Sequence, residues 1–249
     1  MKLVINSNVN YEKPLRKLFL SLRGAGFRDY KNIIVVRGQS ESDEEPKKVK
    51  ISKVVKLGIR DELTLINMRL NNFDYTGYHA LNVYKEHPLV SSDWYMYILD
   101  TVTVNSLFVS FINSACPDPD ELMITMRPHS NICAFGSEVI KNYGNNFGTP
   151  LTKDEAIRLE FDSPIEKNVA SISRFGRITQ MNTRYLVGEA DIYGTGHPRK
   201  NLYYPDFGLS KWIFWGRTGD ILGDVQENKV WTSDEIARFK KENKPESFF

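Results

Sequence analysis

Cysteine is scarce in this chain. Cys116 and Cys133 are its two thiols, and neither has a Cys-x-x-Cys or Cys/His neighbour, which argues against a zinc site and a disulfide framework. Reduced thiols point to an intracellular setting. An excess of one charge is also missing: 33 Lys and Arg are interleaved with 31 Asp and Glu, a net charge of +2. No whole-protein field draws it to nucleic acid. No run of about 18 apolar residues occurs, so no transmembrane segment is expected, and Met1 to Ile5 is too short for a signal peptide. The expected setting is cytoplasmic.

Glycine-rich phosphate loops are lacking as well. There is no Gly-x-Gly-x-x-Gly after the first apolar run, no Gly-x4-Gly-Lys-Ser/Thr and no Gly-x-Ser-x-Gly elbow, which leaves dinucleotide-binding, P-loop and hydrolase readings without support. A bound phosphate would then need basic side chains or a metal. No internal repeat is present.

What is present is ample for a core: 249 residues, 41% hydrophobic and 12% aromatic, enough for one large α/β domain. The apolar run from Trp94 to Leu99 reads as a central strand buried on both faces, with Asp100 at its carboxyl end and the small polar Thr101 after it. Leu3 to Asn6, a helix from Glu12 to Gly24 and Ile33 to Val36 form a βαβ unit, implying a parallel pair. A possible edge strand lies at Val49 to Val55, and a helix from Tyr78 to Tyr84 precedes the central strand. Beyond it come a helix from Asn105 to Ser114, strands at Leu122 to Met126 and Asn131 to Gly136, and a short helix at Ser137 to Asn142. Thr152 to Glu155 opens another helix in capping-box fashion, and Thr232 to Phe249 is a capped helix and charged tail. The expected fold is α/β: a mixed, mostly parallel central sheet flanked by helices in a single globular domain.

In open α/β sheets, ligands bind outside the carboxyl ends of the strands. Parallel strands would bring four loops to one crevice: Asn6, Ser7 and Asn8; Arg37 and Gly38; Asp74, Tyr75 and Thr76; Asp100 and Thr101. Hydroxyls, amides, an arginine and two acids suit a nucleotide or nucleotide-sugar, with the acid for ribose or metal and the arginine for phosphate or base. Each residue taken singly is also ordinary turn chemistry. Asp100 could instead cap the helix that follows it. His197, between Gly196 and Pro198 and next to Arg199 and Lys200, could ligate a divalent metal or face a diphosphate, or be an exposed loop histidine. His79 and His87 read as helix-surface and helix-end residues. A base for an acceptor hydroxyl would have to be a carboxylate on the acceptor side. Asp154 and Glu155 are the best placed, although acids are expected in any first helical turn; Glu189 and Asp191 come next.

Four segments carry a resemblance: Ile5-Asn6-Ser7-Asn8 with its helix, Asn72 to Gly77, Leu99-Asp100-Thr101, and Gly194 to Arg199 with Tyr203 to Asp206. In this order they resemble GT-A-fold glycosyltransferases, in particular small viral and bacterial members, over about residues 1–212. The resemblance implies a GT-A-like domain over 1–231, with a nucleotide-binding half (1–115) and an acceptor half (116–231), ahead of the 232–249 tail. It further implies transfer of a hexose or pentose from a UDP- or GDP-sugar donor to a glycan or sugar acceptor. Mn or Mg would bridge the diphosphate at Asp100 and His197. Asn6, Ser7, Asn8, Arg37, Asp74, Tyr75 and Thr76 would line the nucleoside pocket, with Asp100 and Thr101 beside it. The family's acidic motif is Asp-x-Asp, and here it reads Asp100-Thr101-Val102, so a hard cation meets less negative charge. That departure leaves open a weakly held metal, metal-free catalysis, or an inactive nucleotide-sugar or glycan-binding protein. A nucleotidyltransferase is disfavoured by the missing basic, glycine-rich loop.

Overall fold

The structure is a computed structural model, and it describes residues 1–9, 11–38, 49–53, 62–68, 75–114, 121–126, 132–143, 176–181, 185–192, 199–214 and 229–230. The strands in chain order are β1 (Lys2–Asn8), β2 (Ile33–Gly38), β3 (Val49–Lys53), β4 (Glu62–Met68), β5 (Trp94–Leu99), β6 (Val102–Val104), β7 (Glu121–Met126), β8 (Cys133–Gly136), β9 (Arg177–Met181), β10 (Tyr185–Ala190), β11 (Arg199–Tyr204), β12 (Leu209–Phe214) and β13 (Lys229–Val230). The helices are α1 (Glu12–Gly24), α2 (Thr76–Val83), α3 (Ser106–Ser114) and α4 (Ser137–Tyr143). No described helix is long and apolar enough to cross a membrane.

The chain divides into two compact units. Unit 1 comprises Met1–Glu12, Asp29–Asp100 and Ala115–Asn182; unit 2 comprises Lys13–Arg28, Thr101–Ser114 and Thr183–Phe249. Unit 1 is built on an eight-stranded sheet in the order β3-β4-β2-β1-β5-β8-β7-β9. The four strands β4, β2, β1 and β5 all run parallel. β3 and β8 flank that block antiparallel, and β9 lies parallel to β7 at the far edge. The sheet is therefore mixed and mostly parallel, and β5 is internal to it, as its apolar run implies.

Why these strands sit inside follows from composition. In β1 and β2 the runs Leu3-Val4-Ile5 and Ile33-Ile34-Val35-Val36 are buried throughout, as parallel strands covered on both faces require. β5 has the same pattern, with Tyr95, Met96, Tyr97 and Ile98 all buried. α2 packs on β1, β2 and β4, and α4 packs on β7 and β8. The core between α2 and the sheet is aromatic. The Tyr78 ring stacks on Tyr97 with centroids 4.3 Å apart, and on Phe135 at 5.3 Å, which adds directional contact to area burial.

Unit 2 is built on a five-stranded sheet ordered β13-β10-β11-β12-β6. β12 lies antiparallel between β11 and β6. α1 buries Leu15, Leu18, Phe19 and Leu22, and its buried Ser21 Oγ accepts the Val104 N–H at 3.1 Å. The helix ends in a Schellman turn. Phe27 N–H donates to the Leu22 carbonyl at 2.9 Å, Gly26 N–H donates to Arg23 at 3.1 Å, and Gly26 has φ +87. That left-handed position is why glycine stands there.

The central strand ends at Leu99 with Asp100 at its carboxyl end, as expected; beyond Thr101 the chain forms β6, which joins the other sheet, where Trp212 N–H donates to the Thr101 carbonyl at 3.0 Å. β4, the fourth parallel strand, is an addition to the expected elements. His79 is 7% exposed, a core residue rather than a surface one, because every α2 residue from Thr76 to Leu81 is buried. The Thr152 to Glu155 helix and the helix from Thr232 onward lie outside the described residues.

Candidate functional site

Four parallel strands place their carboxyl ends along one edge of the unit 1 sheet, at Met68, Gly38, Asn8 and Leu99. β1 is followed by β2 on one side, while β5 lies on its other side. The connections after β1 and β5 therefore leave in opposite directions. The gap between them is a topological switch point, where open α/β sheets hold ligands.

Asp100 stands at this gap. It is 5% exposed, and its Oδ2 accepts the Ser7 hydroxyl at 2.7 Å. Its own N–H donates to the Asn6 carbonyl at 3.1 Å. A buried carboxylate is costly unless hydrogen-bonded, and β1 supplies the hydroxyl that meets this one. Asp100 does not cap the next helix. That task falls to Asn105, whose Oδ1 accepts the Leu107 N–H at 2.9 Å.

Asn6 ties the site to α2. Its Oδ1 accepts the Gly77 N–H at 2.8 Å, and the residue is 6% exposed. Its backbone thus holds Asp100 while its side chain holds the first turn of α2, so that amide of the helix start is already used. Gly77 has no room for a side chain: a Cβ there would come within 2.5 Å of Tyr97 Oη.

Arg37 is the register partner of Ser7. Its Nη2 donates to the Val9 carbonyl at 3.3 Å, and Val9 N–H donates to Gly38 at 3.1 Å. Tyr11 N–H closes the turn onto the Asn8 carbonyl at 3.0 Å. A half-buried guanidinium is therefore fixed at the same sheet edge as Asp100.

Asn6, Ser7, Asn8, Arg37 and Asp100 come together at this edge. Tyr75 and Thr76 are buried at the start of α2, with the Tyr75 and Tyr78 ring centroids 6.1 Å apart. Thr101 follows Asp100 in the chain and is the first residue of its segment of unit 2. Asp74, Asp154, Glu155 and His197 lie outside the described residues. The long-range bond from Gly77 to Asn6 and the contact of Gly77 with Tyr97 had no sequence signal, since each joins segments far apart in the chain.

Beneath the site Tyr78 Oη and Cys133 Sγ are hydrogen-bonded at 3.0 Å. Burial pushes the Cys133 thiol up to about 12, against a smaller lowering by the Tyr78 bond. Burial likewise holds the Tyr78 hydroxyl well above its usual value, helped by Cys133, Tyr97 and Tyr75. These two groups stay protonated and serve packing.

A divalent metal would need several oxygen ligands. Among the described residues no three His, Cys, Asp or Glu side chains come together in a way that could hold one. Asp100 has Thr101 and Val102 after it, where a second acid would be needed. The described residues do not by themselves fit a resident ion.

No protein-family model and no curated protein matches the sequence. Solved glycosyltransferase structures do match in shape. A mannosyltransferase from Pyrobaculum calidifontis, in complex with GDP-Man and Mn2+, is 13% identical with a TM-score of 0.43, over 72% of this chain and 54% of that one. A glycosyltransferase involved in glycosylation of the major capsid of PBCV-1 is 11% identical with a TM-score of 0.39, over 73% of this chain and 82% of that one. The galactosyltransferase LgtC, in complex with donor and acceptor sugar analogs, is 12% identical with a TM-score of 0.41, over 73% of each chain. This chain thus spans about half the length of the mannosyltransferase. Likeness at this level transfers neither a donor, an acceptor nor a metal to it.

Proposed function

We propose that this chain is a glycosyltransferase, binding a nucleotide-diphosphate sugar across the carboxyl ends of β1, β2 and β5. The observation that carries the reading is the buried Asp100 at the switch point, fixed by Ser7 and Asn6. A fixed carboxylate there suits the hydroxyls of a ribose, and the Arg37 guanidinium suits a base or phosphate oxygen. The four motif segments supply the sugar-transfer half of the reading. Asn8, Asp74, Tyr75, Thr76 and Thr101 complete the donor pocket in this proposal, which takes residues 1–115 as the nucleotide half and 116–231 as the acceptor half.

In the reaction the anomeric C–O bond to the diphosphate breaks, the nucleoside diphosphate leaves, and an acceptor hydroxyl oxygen takes its place on the sugar. If the configuration inverts, a carboxylate takes the hydroxyl proton; Asp154 and Glu155 are the candidates. Were Mn or Mg to bind together with the donor, Asp100 and His197 are the residues that would hold it, and it would supply positive charge to the departing diphosphate.

Calorimetric titration of UDP and GDP, with and without Mn, into the wild type and Asp100→Asn tests the proposal. One nucleotide should bind, at least tenfold more weakly to the variant. Binding of neither under any condition would sink the donor pocket. The second reading, a nucleotide-sugar or glycan-binding protein without turnover, is favoured by the missing second acid after Asp100. It predicts nucleotide binding indifferent to Mn, and no transfer of radiolabelled sugar to any acceptor.

A further inference from the structure

Charge that is balanced over the whole chain is concentrated on α1. Residues 13–28 hold five Lys and Arg and no Asp or Glu, while the rest of the chain carries more acid than base. Glu12, at the first position, is the one acid of the helix. At about 100° per residue, Leu15, Leu18, Phe19, Ser21 and Leu22 fall on one side of α1, and all are buried. Lys13, Arg16, Lys17, Leu20 and Arg23 fall on the opposite side, within an arc of about 120° centred on Leu20. Lys13, Arg16 and Arg23 are exposed, Lys17 is half-buried, and Leu20 is 50% exposed. Among the described residues no carboxylate is ion-paired with Lys13, Arg16 or Arg23. Helix formation alone does not call for this arrangement. Like charges three and four residues apart, as Lys13 is from Arg16 and Lys17, weaken a helix, and a cation in the first turn opposes the helix dipole.

We infer that the outer face of α1 docks on an anionic lipid bilayer, with Leu20 entering below the headgroups and the four cations around it meeting lipid phosphates. The charge says that the partner is an anion, and Leu20 says which kind. A bilayer presents phosphates and, just beneath them, hydrocarbon, which is what a basic helix face with an apolar centre fits. Long Lys and Arg side chains lay their stems along apolar surface and keep their charge at the level of the phosphates. A nucleic acid would satisfy the cations but leave Leu20 without an apolar partner. The inference does not rest on the transferase reading, because no residue of the donor pocket lies on this face.

The test is co-sedimentation of the full chain with vesicles of phosphatidylcholine alone and of equal parts phosphatidylcholine and phosphatidylglycerol. The mixed vesicles should carry the protein down, the neutral ones should not, and high salt should release it by screening. Arg16→Gln combined with Arg23→Gln should weaken vesicle binding at least tenfold, each cation near an anionic surface being worth about fivefold. Leu20→Ser should weaken it severalfold while leaving binding to a short RNA duplex unchanged. All three substitutions replace exposed side chains, so the fold is kept. No binding of the wild type to the mixed vesicles, or equal binding to the neutral ones, overturns the inference whatever the variants do. A Leu20→Ser chain that holds the vesicles as tightly as the wild type overturns the bilayer as occupant and makes a soluble polyanion the partner. No nucleotide is present, so failure here is separate from failure of the donor pocket, which the Asp100→Asn titration reads.

Discussion

Replacing Gly77 by alanine probes the packing that holds the candidate site. The added Cβ would lie 2.5 Å from Tyr97 Oη, 2.6 Å from Cε2 and 2.9 Å from Cζ. Tyr97 cannot easily retreat, since it is fully buried and stacked on Tyr78. Overpacking of this kind costs about 1–3 kcal/mol. Against it, alanine is favoured over glycine inside a helix by up to ~1 kcal/mol, and by less in a first turn. The clash wins, leaving a net loss of about 1–2 kcal/mol. For a chain of this size that lowers the melting temperature by roughly 2–8 °C, read by far-UV circular dichroism. Nucleotide affinity should fall in parallel, because the Gly77 amide is bonded to Asn6, whose carbonyl holds Asp100. In a Tyr97→Phe background the hydroxyl contact goes but the ring carbons remain, so the penalty should shrink without vanishing. A Gly77→Ala protein that melts at or above the wild-type temperature refutes the close-approach argument.

Ser7→Ala leaves the buried Asp100 without its hydroxyl donor, and should lower stability by about 1–3 kcal/mol in chemical denaturation; Ser7→Thr should retain most of it. Asn105→Ala removes the α3 cap at a cost of about 1 kcal/mol, while Asn105→Asp keeps the accepting oxygen and most of the stability. Cys133 gives a pH signature: burial raises its folded pKa from the usual 9.0 to about 12, so the native state keeps a proton that the unfolded chain loses. That stability is full below about pH 9 and is lost as pH rises towards about 12; denaturation midpoints against pH should show the fall, and Cys133→Ala should lessen it, the raised Tyr78 and Tyr95 hydroxyls accounting for what remains. In a Cys116→Ser background, a disulfide reagent at pH 8 should label Cys133 only once the protein unfolds.

Much of unit 1 was legible because burial on both faces writes itself as an unbroken apolar run. β1, β2 and β5 carry such runs, and the limits of α1 match its amphipathic spacing and the glycines after it. β4 escaped notice because Thr64 and Asn67 interrupt its run, although Thr64 is itself only 2% exposed. β6 went unassigned because three residues after Asp100 carry little signal, and strand propensity does not say which partners a strand will take. At the site, Asp100 was visible as an acid ending an apolar strand. Ser7 as its partner follows only from the pairing of β1 with β5, and Asn6 as the brace of α2 only from tertiary contact. Residues such as His197 and Asp154 rest on sequence alone, because they fall outside the described residues.

The place of β1 in its sheet has a consequence for how the chain is made. Val4 pairs with Ile34 on one side and with Tyr97 on the other. During synthesis the first partner follows soon after, but the second emerges about 5–20 s later at ordinary translation rates. For that interval one edge of a strand reading Leu-Val-Ile has open backbone groups and no neighbour, the condition in which strands pair with the wrong chain. Slow codons or low temperature between Gly38 and Trp94 would lengthen the exposure, whereas a holdase that covers the nascent amino-terminal segment would shorten its effect.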